Sequence, residues 1–195
     1  KVSRGTLREA LAELKRRNYI ATQTGVGSIV TFDGVVLDQR SGWAQALADT
    51  GALVTTDILR LEAVTRPDLL SRFGTDQFIA LDRRRRTTDG TAVSLERSLM
   101  PAAGGLDSLP RVGLIDNSLT ITLAAYGYVG AEGDQWIGAE PLSDEDAELL
   151  GRPAGSVFLK ASRTTYDRRE RFMEYVESLL DPLHFRLHLQ FGASK

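Results

Sequence analysis

The 195-residue sequence has no cysteine, only two histidines and no apolar run near the roughly 20 residues that span a bilayer. Each absence closes off a class. Without cysteine there are no disulfides and no thiolate metal sites, which is compatible with a cytoplasmic protein. The histidines, His184 and His188, fall four residues apart in a stretch that alternates like a strand. At roughly 3.3 Å per residue they stand about 13 Å apart and cannot share one ion, so no metal site is expected. Lys1 is followed by no hydrophobic leader segment, so neither secretion nor a membrane partner is expected. Gly25-x-Gly27 is too short for a nucleotide loop, and no nucleophile set or dinucleotide fingerprint occurs, so no cofactor and no enzymatic activity are expected.

What is present is unevenly distributed. Residues 1–32 hold six basic residues (Lys1, Arg4, Arg8, Lys15, Arg16, Arg17) against Glu9 and Glu13. The formal charge of the whole chain is −2, so a +4 segment precedes a −6 body. A basic module at one end of an acidic body fits a nucleic-acid contact at that end only, although a solvated helix face would give the same charges. Leu7, Ala10, Leu11 and Leu14 form one apolar helical stripe, with Arg4, Arg8 and Lys15 beside it. Ser3 stands at the N-cap position, where its hydroxyl takes a free backbone N–H. Thr24-Gly25-Val26-Gly27-Ser28 punctuates two short strands.

The stretch Ser3-Arg4-Gly5-Thr6-Leu7-Arg8-Glu9-Ala10-Leu11 resembles the recognition helix of GntR-type bacterial repressors, and residues 23–30 resemble their wing. The remainder resembles the UTRA effector-sensing domain of the HutC subfamily. The resemblance implies operator contacts by Ser3, Arg4, Thr6 and Arg8, with Gly27 allowing close approach at the wing. It implies a homodimer acting on operator DNA in the cytoplasm. The family's DNA-binding domain has two further helices before this one. They are absent from these residues, so this chain alone is expected to bind an operator poorly.

Along the body, Asp33-Gly34 closes the wing, and a linker is placed at 33–38, ahead of a sensor domain at 39–195. Helix is expected over 44–49, 68–72, 116–126 and from Ser143 to Gly151. Strands are expected over 58–64, 77–88, 91–99, 156–166, 171–179 and 183–191. Asp89-Gly90 and Asp167-Arg168 supply the hairpin turns. Gly74 and Gly151 are 77 residues apart; Asp89 and Asp167, like Glu96 and Glu174, are 78 apart. That spacing suggests two related strand–helix–hairpin units. The fold class is therefore α+β: a partial winged helix-turn-helix followed by a mostly antiparallel sheet with helices. The UTRA resemblance implies the chorismate-lyase-like version of it.

Arg83, Arg84, Arg85 and Arg86 fall on a predicted strand, which puts two on each face. One pair faces solvent; the other meets apolar neighbours and needs an anion. Surface arginines paired with acidic neighbours are the alternative. The resemblance implies an Arg-x-Arg pair that holds the acidic part of the effector a few residues before the Asp-Gly turn. Counting back gives Arg84 and Arg86, with Arg83 and Arg85 in their place if the strand carries a bulge. The resemblance further implies that Glu96, and Glu174 as its match in the second unit, accept hydrogen bonds from the effector. It places the effector's phosphate near Ser41 and Gly42, and a further contact at Ser118. Leu180 stands where several family members carry an aromatic contact residue, a departure from the amino-sugar sensors. The function expected is a ligand-responsive regulator, a repressor released by a small anionic effector. The alternatives are an enzyme of the lyase fold and a sensor fragment without DNA binding.

Overall fold

Alternation along the body becomes one antiparallel sheet in the computed structural model, which describes residues 3–16, 20–23, 27–30, 36–37 and 55–187. The chain divides into two compact units, Val54–Leu180 and Lys1–Leu53 with Asp181–Lys195.

In the smaller unit, α1 spans Arg4–Arg16. The Ser3 hydroxyl accepts the Thr6 N–H at 3.1 Å, as an N-cap should. Leu7 and Leu11 of its apolar stripe are exposed. Strands β1 (Ile20–Gln23) and β2 (Gly27–Val30) pair as an antiparallel hairpin. A two-residue strand β3 (Val36–Leu37) pairs in parallel with β10 (Arg186–Leu187). Of the strand expected over 183–191, only Arg186–Leu187 is strand among the described residues; ahead of it the Asp181 carbonyl accepts the His184 and Phe185 N–H groups, both at 2.9 Å. Asp181-Pro182 starts a turn, because the Asp carboxylate also takes the Leu183 N–H at 2.9 Å. Residues 188–191 lie outside the described residues, as do 38–54 with the helix expected there.

The larger unit is a six-stranded sheet in the order β4–β5–β6–β9–β8–β7, each neighbouring pair antiparallel. The strands are β4 (Thr55–Thr65), β5 (Gln77–Arg86), β6 (Ala92–Pro101), β7 (Gly130–Pro141), β8 (Val157–Asp167) and β9 (Phe172–Leu180). Short helices α2 (Leu70–Phe73), α3 (Leu109–Val112), α4 (Leu119–Ala125) and α5 (Asp144–Leu150) connect them. Ser143 caps α5 through the Asp146 N–H at 3.1 Å, and three acids fill its first turn, where the helix dipole favours them. Gly74 and Gly151 end α2 and α5 in left-handed conformations, at φ 73° and 62°.

The repeat is present, but its hairpins are offset by 80 residues rather than 78. Thr87 N–H bonds the Thr91 carbonyl as Asp167 N–H bonds that of Arg171. Gly90 and Glu170 hold the matching positive φ, 85° and 59°. Each hairpin has a bulge in its return strand: Arg85 pairs Ser94 and Arg86 pairs Ala92, as Thr165 pairs Glu174 and Tyr166 pairs Phe172. The counterpart of Glu174 is thus Ser94, not Glu96. In the central β6–β9 pairing, Arg97 lies opposite Glu177, its own counterpart in the repeat.

The two faces of the sheet bury different layers. Ile79, Leu81, Met100 and Met173 pack against Leu109 of α3 and Leu119 and Leu123 of α4. On the opposite face, Ala147 and Leu150 of α5 pack on Ala92, Leu95 and Phe158. At the other end of that face, Phe73 of α2 packs on Phe78 and Phe172.

Candidate functional site

The period of two along β5 divides the arginine run. Arg83 and Arg85 continue the row of Ile79 and Leu81, on the α3–α4 face, and are 5% and 6% exposed. Across the ladder, Arg83 pairs with Glu96 of β6, itself 2% exposed. Arg83 Nη2 donates to Glu96 Oε1, and Arg85 Nη1 reaches Oε2 at 3.4 Å. Burial alone would raise the Glu96 carboxyl, but the Arg85 and Arg83 guanidiniums outweigh it and hold the group below the usual carboxylate range. Glu96 is therefore ionised between two cations.

Glu174 reaches the same face through the second bulge, which leaves Met173 as the extra residue before it. Ser98 donates to Glu174 Oε1 at 2.9 Å. Burial, then repulsion from Glu96, pushes the Glu174 carboxyl up; the Ser98 hydrogen bond, Arg83 and Arg163 work the other way. The two glutamates converge on one place although they are not repeat partners.

Among the described residues, two buried polar atoms of this cluster have no hydrogen-bond partner: Arg83 Nε and Ser94 Oγ. Ser94 lies opposite Arg85 in the ladder. Buried polar groups are nearly always satisfied, so two orphaned atoms on one face of the sheet point to a further partner. Two buried guanidiniums, Arg83 and Arg85, thus share one face of the sheet with Glu96 and Glu174. A carboxylate or phosphate suits the guanidinium forks, and Glu174 is left to take a hydroxyl or amine.

Arg84 and Arg86 lie on the other face. Asp57 Oδ2 accepts from Arg84 Nε and Nη2 at 3.2 and 3.0 Å and from Arg86 Nε at 2.9 Å. Arg84 Nη1 donates to the Leu149 carbonyl at 2.8 Å. The count back from Asp89-Gly90 assumed an unbroken ladder; the bulge at Val93 shifts it by one, so Arg83 and Arg85 share the face of Glu96. Ser118 caps α4, accepting the Ile121 N–H at 3.3 Å. Ser41 and Gly42 lie outside the described residues. Leu180, fully buried, is opposite Ser94 in the β6–β9 ladder.

In the smaller unit, Ser3 Oγ and Thr6 Oγ1 lie 2.9 Å apart at the head of α1. Arg4 opens the helix and Arg8 is exposed one turn on. Gly27 begins β2, opposite Gln23. Ser94, Ser98 and Asp57 were not singled out from the sequence. The first two left a signal: in Ser94-Leu95-Glu96-Arg97-Ser98 the polar residues at every second place mark one face.

Among the described residues no cluster of three His, Cys, Asp or Glu could hold a metal ion, and no helix is long and apolar enough to cross a membrane. Residues 50–186 match the family model of the UTRA domain. The chain is 26% identical over 181 residues to the HTH-type transcriptional regulator Rv0792c of Mycobacterium tuberculosis, covering 90% of this chain and 67% of that protein. The structure resembles that of PhnF from Mycobacterium smegmatis, with a TM-score of 0.73 at 23% identity over 99% of this chain and 87% of that one. It also resembles the possible transcriptional regulator YydK from Bacillus subtilis, with a TM-score of 0.62 at 17% identity over 98% and 85% of the two chains.

Proposed function

The chain belongs to the UTRA domain family, and from that membership we propose that it is a ligand-responsive transcription regulator whose larger unit binds a small anionic metabolite. The observation that carries this reading is the buried Arg83–Glu96–Arg85 cluster with its two orphaned polar atoms. The acid group of the ligand lies against Arg83 and Arg85 and meets Arg83 Nε and Ser94 Oγ; Glu174 accepts from its neutral part. The effector contacts expected of Ser41, Gly42 and Ser118 remain part of this reading. Glu96 is an anchor for the arginines and not a proton carrier, because both of its oxygens are engaged by guanidiniums. The ligand is bound and released unchanged.

The smaller unit belongs, in this reading, to a winged helix-turn-helix. Arg4 and Arg8 take operator phosphates and base edges, Ser3 and Thr6 fix the head of the helix, and Gly27 lets the wing approach the backbone. The protein acts in the cytoplasm as a HutC-type homodimer on a palindromic operator, as a repressor. The ligand releases it only insofar as it binds the free and DNA-bound arrangements with different affinity. Rv0792c, the similar protein named as an HTH-type transcriptional regulator, supports this assignment.

The test is a thermal-shift screen of small phosphates, sugar phosphates and carboxylic acids, followed by recovery of the compound. A ligand at 100 times its Kd raises stability by about 2.7 kcal/mol. Chemical conversion of the recovered compound, at a rate lowered by Glu174→Gln, would replace the sensor reading with an enzymatic one.

A further inference from the structure

The duplication that builds the larger unit also pairs two of its arginines. At the 80-residue hairpin offset, Arg83 of β5 matches Arg163 of β8, and Glu96 of β6 matches Val176 of β9. The register agrees: Arg83 lies opposite Glu96 in one hairpin, and Arg163 lies opposite Val176 in the other. The halves share a geometry and differ in one charge. Arg83 has a carboxylate across the ladder, whereas Arg163 has an isopropyl group.

Arg163 lies on the α3–α4 face, because Phe158 and Tyr166, each an odd number of residues away, pack on the other. It is half-buried, and among the described residues it makes no hydrogen bond and no ion pair. Glu174 feels its charge, yet that carboxylate forms no ion pair with it and takes the Ser98 hydroxyl instead. A guanidinium without an internal acid takes its acceptors from solvent or from a ligand. The floor beside it favours a ligand. Across the ladders from Glu96 to Arg163 the face carries the small side chains of Ser98, Val176, Ser178 and Ala161, all of them buried.

We propose that Arg163 is a specificity-determining residue of the effector site, which takes a second acidic group, so that the metabolite recognised is a small anion with an acid at each end. One acid lies against Arg83 and Arg85, the body crosses the small-residue floor, and the other acid meets Arg163. This rests on the regulator reading and assigns the far end of the same site. Three strand spacings of about 4.8 Å put β5 and β8 about 14 Å apart. Two long arginine side chains take up much of that span, and a chain of a few carbon atoms covers the rest. The guanidinium fork of Arg163 matches a carboxylate or phosphate in two parallel hydrogen bonds.

Calorimetric titration of the full chain with two matched pairs of compounds tests it: phosphoglycolate against ethyl phosphate, and glutarate against pentanoate. The second compound of each pair lacks one acid. At least one two-acid compound should bind more tightly than its partner by about tenfold or more, the scale of one charge-assisted hydrogen bond. Arg163→Gln should remove that preference and leave the one-acid partner at its affinity for the parent chain. It should also keep the urea midpoint of the free chain, because no partner within the fold is lost. Arg85→Gln should weaken both members of the pair. Equal affinities within both pairs, or a preference that survives Arg163→Gln, would overturn the assignment and leave the anion site at Arg83 and Arg85 standing. Failure of all four compounds to bind would overturn it as well, and the wider thermal-shift screen then decides the anion site separately.

Discussion

Two adjacent pairs of arginine on one strand, Arg83 with Arg85 and Arg84 with Arg86, each converge on a single carboxylate, yet the two arrangements differ in kind. Glu96 is buried with its pair, and its charge is fixed by them. Asp57 stays half in water, and its pair is 18% and 35% exposed. The lesson is that proximity of opposite charge says little until solvent is considered. Exposed ion pairs contribute about 0–1 kcal/mol, whereas removing one member of a buried set costs about 3–5 kcal/mol because the others are left charged and unsolvated.

The largest expected break in this comparison is Glu96→Ala. It strands two buried guanidiniums and should lower unfolding stability by about 3–5 kcal/mol, seen as a large fall in the urea midpoint. A fall no larger than that of an average surface substitution would mean that the cluster is solvated.

A smaller effect, of opposite sign, is expected at Glu174. Its folded pKa lies above the ordinary value of 4.5, first through burial and then through Glu96. The unfolded chain therefore releases this proton at lower pH than the folded one. Glu174 loses nothing in acid and opposes folding as pH rises through and beyond the ordinary glutamate range. Glu174→Gln should raise the urea midpoint at neutral pH, with the gain vanishing below about pH 4, where the carboxyl is protonated in both states. A gain independent of pH would point to packing and not charge.

The smallest effect is expected at Asp57. Asp57→Ala should cost no more than about 1 kcal/mol, and less as salt is added, because its partners keep access to water. A loss comparable to that of Glu96→Ala would erase the distinction between the two faces.

Much of this layout is readable from the chain. The hairpins of β5–β6 and β8–β9 follow from alternation, and α5 follows from Ser143, its acidic first turn and Gly151. The edge strand β7 does not. Gly130, Gly133 and Gly138 weaken its pattern, and all of its residues but Ile137 are exposed, so neither face carries an apolar row. The bulges at Val93 and Met173 are equally silent, since a bulge is a property of the paired ladder and not of one strand. They account for what differs at the site: the arginine pair moves by one residue, and Glu174 joins Glu96 without being its repeat partner. The alternation of Ser94, Glu96 and Ser98 within an apolar strand was the available clue that this face buries polar groups.

The most direct test is to carry any ligand found by thermal shift into Arg85→Gln and Arg84→Gln, one substitution on each face, and to measure its affinity by calorimetry. Glu96 keeps Arg83 in the first variant, so the fold is retained. Loss of a charge-assisted hydrogen bond should weaken binding by about 1.5–3 kcal/mol in Arg85→Gln and leave Arg84→Gln at the affinity of the parent chain. Full affinity in Arg85→Gln, with the loss appearing in Arg84→Gln, would contradict the account and move the effector to the other face of the sheet.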